Sequence, residues 1–171
     1  MLNLTPTLDT NPGTWIIRPA LERDLDELVS MMAGQSPWLT LGFTPEMCRA
    51  VLSSGLEEIQ VTVDEEDHPV GFLRWQPAAF LGQPYLQLLA VAPLHQQQGV
   101  GRTLLRWLER EVFEIRGLAN LFLCVSNFNE MGQIFYRRLG YREVGRLDSF
   151  LKPGLDELIF QKSVRPLLPT V

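Results

Sequence analysis

The chain has 171 residues, 46% of them hydrophobic and 20% charged, with a net charge of −5 at pH 7. That length can bury a full core without metals or disulfides, and the composition is ordinary for a globular protein. The acidic balance, with no run of lysines and arginines, argues against the basic face that nucleic-acid or membrane-surface binding needs.

Residues 1–13, "MLNLTPTLDTNPG", have no basic or apolar signal segment and read as a loose arm. No apolar run approaches the roughly 20 residues that span a bilayer, so the chain reads as soluble and cytoplasmic. "TWIIRPA" (Thr14–Ala20) is β-branched and aromatic, which predicts a first strand ended by Pro19. Leu21, Leu25, Leu28, Val29 and Met32 repeat at helical spacing, with Gly34 as the stop. "QSPWLTLGF" then reads as a loop, and Thr44 and Pro45 open a second helix as N-cap and first residue.

Ile59–Val63 and Val70–Gln76 read as strands joined by an acidic turn that contains His68. "PYLQLLAVAP" is almost wholly apolar, which predicts a fourth strand buried on both faces. A helix from Gly99 to Arg116 carries Leu104, Leu105, Leu108 and Val112 on one face. "LANLFLCVS" reads as a fifth strand, again buried, and "NEMGQIFYRRLG" as a helix closed by Gly140. "YREVGR" and "DELIFQKSV" read as the last two strands. This alternation predicts an α/β (α+β) fold with a mixed sheet, one domain over residues 14–164 and a tail over 165–171. Cys48 and Cys124 lie among apolar neighbours and read as reduced, buried thiols. Trp15, Trp75 and Trp107 read as packing residues, and no His/Cys/Asp/Glu set has metal-ligand spacing, so no metal is expected.

The chemistry-bearing stretch is Gln96-x-x-Gly99-x-Gly101, set between the fourth strand and the long helix. It is not a P-loop, because no lysine follows either glycine, and Leu104 stands where a dinucleotide fingerprint needs its third glycine. A helix that begins at a glycine turn still offers unpaired N–H groups and the positive end of its dipole. Missing Cβ atoms let a diphosphate approach, and Arg102 can add a charge-assisted contact. An acidic protein could hold a polyanion this way. Taken alone, the glycine pair is equally a plain strand-to-helix turn.

"LAVAPLHQQQGVGRTLL" resembles motif A of the GNAT N-acetyltransferase family, [RQ]-x-x-G-x-[GA] after the central strand. "VSNFNEMGQIFYRRLGY" resembles its motif B through Asn129, Gly132, Tyr136, Gly140 and Tyr141. "IIRPALERDLDELVSMM" is similar to the family's first strand and helix. The resemblance implies a mostly antiparallel central sheet flanked by helices, with the fourth and fifth strands splayed around acetyl-CoA. It implies backbone contacts from Leu89, Ala90 and Val91 to the pantetheine arm. The pyrophosphate would lie on Gln96, Gln97, Gln98, Gly99, Val100, Gly101, Arg102 and Thr103, with Asn129, Phe135 and Tyr136 completing the cofactor set. Tyr136 matches the family's tyrosine acid for the leaving thiolate; as a bare sequence feature it is equally a core aromatic beside Phe135.

Two positions where relatives carry a carboxylate base are here Cys124 and Gln87. The amine would then lose its proton unaided, or to an acidic residue elsewhere through water. Trp38 and Phe43 between the first helices, Gln87, Cys124, and Phe150 near Asp148 are the acceptor-site candidates. The implied activity is acetyl transfer from acetyl-CoA to a primary amine (a protein N-terminus, a lysine or a small molecule) by direct attack in a ternary complex. A non-catalytic acyl-CoA-binding regulatory domain and an NAD-type nucleotide module are the alternatives. The expected partners are acetyl-CoA and an amine, with no nucleic acid and no membrane, and the resemblance allows a homodimer.

Overall fold

Seven strands form one sheet in the computed structural model, which describes residues 15–164. They are β1 (Ile16–Pro19), β2 (Ile59–Val63), β3 (Pro69–Phe80), β4 (Gln83–Val91), β5 (Asn120–Ser126), β6 (Arg142–Lys152) and β7 (Leu155–Ser163). Their spatial order is β1-β2-β3-β4-β5-β7-β6. β4 and β5 run parallel, with Tyr85 opposite Phe122 and Leu86 opposite Leu123. The β1/β2, β2/β3, β5/β7 and β6/β7 pairs are antiparallel. The helices are α1 (Leu25–Ala33), α2 (Trp38–Leu41), α3 (Pro45–Ser53), α4 (Val100–Glu109) and α5 (Glu130–Arg138). The arm expected over residues 1–13 and the tail over 165–171 lie outside the described residues.

The described residues form two compact units, one of residues 15–74 with Leu88–Trp107, the other of Trp75–Gln87 with residues 108–164. In the first, Leu28, Met32, Cys48, Leu52, Ile59, Val61 and Phe72 are buried in one apolar cluster between α1, α3 and the strands. α3 starts as its sequence dictates: the Thr44 hydroxyl accepts the Met47 N–H, and Pro45 takes the first helical position. Arg74, buried at the end of this sheet segment, donates to the Glu58 carboxylate and the Val51 carbonyl. In the second unit, Leu121, Leu123 and Val125 of β5 are buried, as are Leu158 and Phe160 of β7. The rings of Tyr136 and Tyr141 lie against each other, and Tyr136 also meets Phe160.

Several expectations are corrected. The stretch expected as a loop contains α2, because Trp38 and Leu41, three apart, bury together and Gly42 ends the turn at φ 80°. The first helix begins with a 3₁₀ turn at Glu22–Asp24, and the long helix passes into a π-helical turn at Arg110–Ile115. β3 and β6 run four and six residues past their expected ends, to Phe80 and Lys152. The apolar fourth strand is not buried on both faces: Leu86, Leu88 and Ala90 are buried, while Tyr85, Leu89 and Val91 are half-buried and Gln87 is exposed. β5 alternates likewise, which leaves Cys124 half-buried. An apolar run specifies low polarity on both faces, and a face that awaits a ligand has the same composition as a face covered by protein.

Candidate active site

In the first unit, the chain leaves β4 at Val91, makes a 3₁₀ turn over Pro93–His95 and enters α4 at Val100. Gln96 to Gly99 are exposed, and Gln97 and Gly99 take left-handed backbone at φ 62° and 91°. A Cβ on Gly99 would find nothing within 4 Å, so the space before the helix is open. The Thr103 N–H reaches the Gly99 carbonyl at 2.9 Å and closes the first turn. The N–H groups of Val100, Gly101 and Arg102 therefore precede any intrahelical acceptor. They carry the positive end of a ten-residue helix, with exposed Arg102 among them. Leading helical donors, positive potential and open space together suit a diphosphate.

Two contacts fix this loop. A Cβ on Gly71 of β3 would lie 2.7 Å from Val100 Cγ1 and 3.1 Å from the Ala90 carbonyl oxygen. Only glycine lets the first turn of α4 rest this closely on the sheet. The Gln96 side-chain amide, expected at the phosphates, turns instead to Gln35 Oε1 at 2.9 Å and the Val91 carbonyl at 3.2 Å. Gln35 also donates to the Val91 carbonyl, at 3.2 Å, and Gln98 donates to the Leu94 carbonyl at 2.8 Å. Gln96 and Gln98 thus shape the loop, leaving backbone N–H groups and Arg102 for an anion. His95 is half-buried edge-on to Trp15 at 5.9 Å, with Nδ1 buried.

The second unit carries the remaining chemistry. Asn129 caps α5, its side-chain oxygen accepting the Gly132 N–H at 3.0 Å. A Cβ on Gly132 would lie 2.6 Å from Asn129 Nδ2, so the cap and the glycine require each other. Tyr136, two turns into the helix, is half-buried with Phe135 edge-on at 5.1 Å. Burial pushes its hydroxyl pKa well up, so it holds its proton at neutral pH.

β-register brings the rest together. Tyr85 pairs with Phe122, and alternation places Gln87, Cys124 and Ser126 on that same face. Ser126 pairs in turn with Glu157 of β7. Phe80 stacks on Tyr85 and lies 4.9 Å from the Phe122 ring. Tyr85 donates a hydrogen bond to the Cys124 sulfur; burial chiefly, with Cys124 and Glu157 adding to it, pushes the Tyr85 hydroxyl far up. Burial likewise raises the Cys124 thiol despite that bond, so it stays protonated rather than acting as a thiolate nucleophile. Glu157 is almost wholly buried and accepts from the Ser126 hydroxyl. Burial raises its carboxyl, partly offset by that hydrogen bond.

Of the acceptor candidates, Gln87 and Cys124 lie on this common face. Trp38, 8% exposed, belongs to the apolar cluster of the first unit, and half-buried Phe43 packs against that cluster. Phe150 is 61% exposed on β6, one residue beyond Ser149, whose N–H is held by Asp156. Leu89 and Val91 are half-buried, whereas Ala90 is part of the core cluster. Sequence reading missed Tyr85 and Glu157. Tyr85 passes as one more apolar residue of a buried strand. Glu157 stands out as a carboxylate within "DELIF", but its meaning depends on which strand lies beside β7.

The sequence profile described as "Acetyltransferase (GNAT) domain" matches residues 57–143, just over half of the chain. No match is found among curated proteins. Among solved structures, the chain is similar to a ribosomal-protein-alanine N-acetyltransferase from Brucella melitensis, at 25% identity and a TM-score of 0.67 over 86% of this chain and 99% of that one. It is similar to the ribosomal-protein-S18-alanine N-acetyltransferase from Escherichia coli at 22% identity and a TM-score of 0.71, covering 91% and 97% of the two chains. A third likeness, at 14% identity and a TM-score of 0.66 over 88% and 98%, is to the NatC complex bound to Gag peptide and CoA. The profile match, the seven-stranded sheet and the glycine loop agree: the chain belongs to the GNAT acetyltransferase family.

Proposed function

We propose that the protein is an acetyl-CoA-dependent N-acetyltransferase of the cytoplasm that delivers acetyl to a primary amine by direct attack. The observation that carries this reading is the start of α4, where left-handed Gly99 opens onto free space beside the leading N–H groups of the helix. That feature suits the pyrophosphate of coenzyme A in an otherwise acidic protein. Acetyl-CoA supplies an activated thioester. Tyr136, kept protonated by burial, gives its proton to the leaving sulfur; a thiol pKa near 8.5 means that a weak acid is enough. The protonated Cys124 favours direct attack over an acyl-enzyme on that residue. A peptide N-terminus is the first acceptor to test, since two of the similar structures are ribosomal-protein-alanine N-acetyltransferases.

The test is thiol release from acetyl-CoA in the presence of an alanine-initiated peptide, an N-blocked lysine peptide or spermidine. Tyr136→Phe should lower kcat by about 100-fold, far more than it lowers acetyl-CoA affinity. Equal loss of affinity and turnover would mean that Tyr136 packs the site rather than protonates the thiolate.

A further inference from the structure

We infer that Glu157 is the proton acceptor of the transfer, an inference that rests on the acetyltransferase reading above. On the face of β4, β5 and β7 that carries Tyr85, Gln87, Cys124 and Ser126, Glu157 is the one carboxylate among the described residues. It is 8% exposed, lies opposite Ser126 and accepts a hydrogen bond from that hydroxyl.

Its surroundings are those of a working base rather than of an ion pair. From β5 the Ser126 hydroxyl donates to it, and Cys124 and Tyr85 share its face of the sheet. On the β6 side its partner in register is Leu147. The neighbouring Arg146 is engaged by Asp156 at 3.6 Å, and Asp156 also accepts the Ser149 N–H at 2.9 Å. Among the described residues, no cation is paired with Glu157. A carboxylate buried without a cation costs stability, and glutamine at this position would keep the Ser126 bond without that cost. Such costs are borne where a charge has chemical work. Burial also raises the carboxyl, which makes its ionised form a stronger proton acceptor.

The step balances as follows. The acceptor arrives as an ammonium ion, and Glu157 takes one proton. The neutral nitrogen forms its bond to the thioester carbonyl carbon, and the carbon–sulfur bond breaks with its electron pair on sulfur. Tyr136 gives that sulfur its proton and is restored by the second proton that the nitrogen sheds. Glu157 then releases its proton to solvent, so each turnover yields one amide, one thiol and one free proton.

The experiment compares the full chain with Glu157→Gln on whichever of the three amines above the wild type acetylates, across pH. At pH 7 the variant should lose about 100-fold in kcat/KM with acetyl-CoA binding intact by calorimetry. The loss should shrink as pH nears the amine's own pKa, where solvent removes the proton. Ser126→Ala should move the acid limb of the profile to higher pH, because it removes the bond that favours the carboxylate. A Glu157→Gln defect that is absent, or the same at every pH, overturns the assignment. If that variant does not fold, an acid limb unmoved in Ser126→Ala overturns it instead. A wild type that binds acetyl-CoA but acetylates none of the amines overturns the acetyltransferase reading itself, and this inference with it.

Discussion

Asp24 and Glu157 are 2% and 8% exposed, yet their surroundings drive them in opposite directions. Burial would raise Asp24 too, but the Arg18 guanidinium at 2.7 and 3.0 Å and the Leu21 N–H at 2.7 Å outweigh it and hold its carboxyl low. A carboxyl lowered by folding stabilises the native state above its unfolded pKa, and that contribution is lost as pH falls through the folded value. Asp24→Asn should therefore cost roughly 1.5–3 kcal/mol at pH 7, the range for a hydrogen bond to a charged group. Urea unfolding at pH 7 and again well below the usual carboxylate range checks this: the gap between wild type and variant should narrow in acid. For Glu157 the raised carboxyl works against stability at neutral pH. A buried carboxylate is a fastener at one site and a base at the other. The distinguishing feature is the neighbouring cation, which adjacent sequence supplies for Asp24 (Arg18 is six residues away) and does not reveal for Glu157.

Elements whose signals are local were legible in the chain. α3 shows its Thr-Pro start, α5 its Asn129 cap, and the turn after α5 its Gly140, which takes φ 89°. The start of α4 was legible as a glycine turn, whereas its support was not, because Gly71 lies on β3 and touches Val100 only in three dimensions. Glycine there sets how near the helix end comes to the sheet. Gly71→Ala should push the first turn of α4 outward, at a cost of about 1–3 kcal/mol in stability. It should also weaken acetyl-CoA by about tenfold, which corresponds to 1.4 kcal/mol. Calorimetry on the variant, with a thermal melt to confirm folding, reads both. Full affinity in a destabilised variant would mean that the helix end is not where the pyrophosphate binds.

At the scale of the whole molecule, strand order is what the sequence hid. β7 enters between β5 and β6, and that placement sets Glu157 opposite Ser126 and next to Cys124. No local pattern announces it, since alternation assigns a residue to a face but not to a neighbour. The same limit explains why the packing of Trp38 within the apolar cluster was not legible, and why β4 read as buried on both sides. Membership of the GNAT acetyltransferase family gives the fold a known class of chemistry, and the loop at Gln96–Gly101 is where this chain either keeps or has lost it. The most direct test is a calorimetric titration of the purified protein with acetyl-CoA, with NAD as the control diphosphate. Saturable binding of acetyl-CoA at one site, with no heat from NAD, is the expected result. A folded sample that binds neither, or that binds both alike, would contradict the assignment of this loop to coenzyme A.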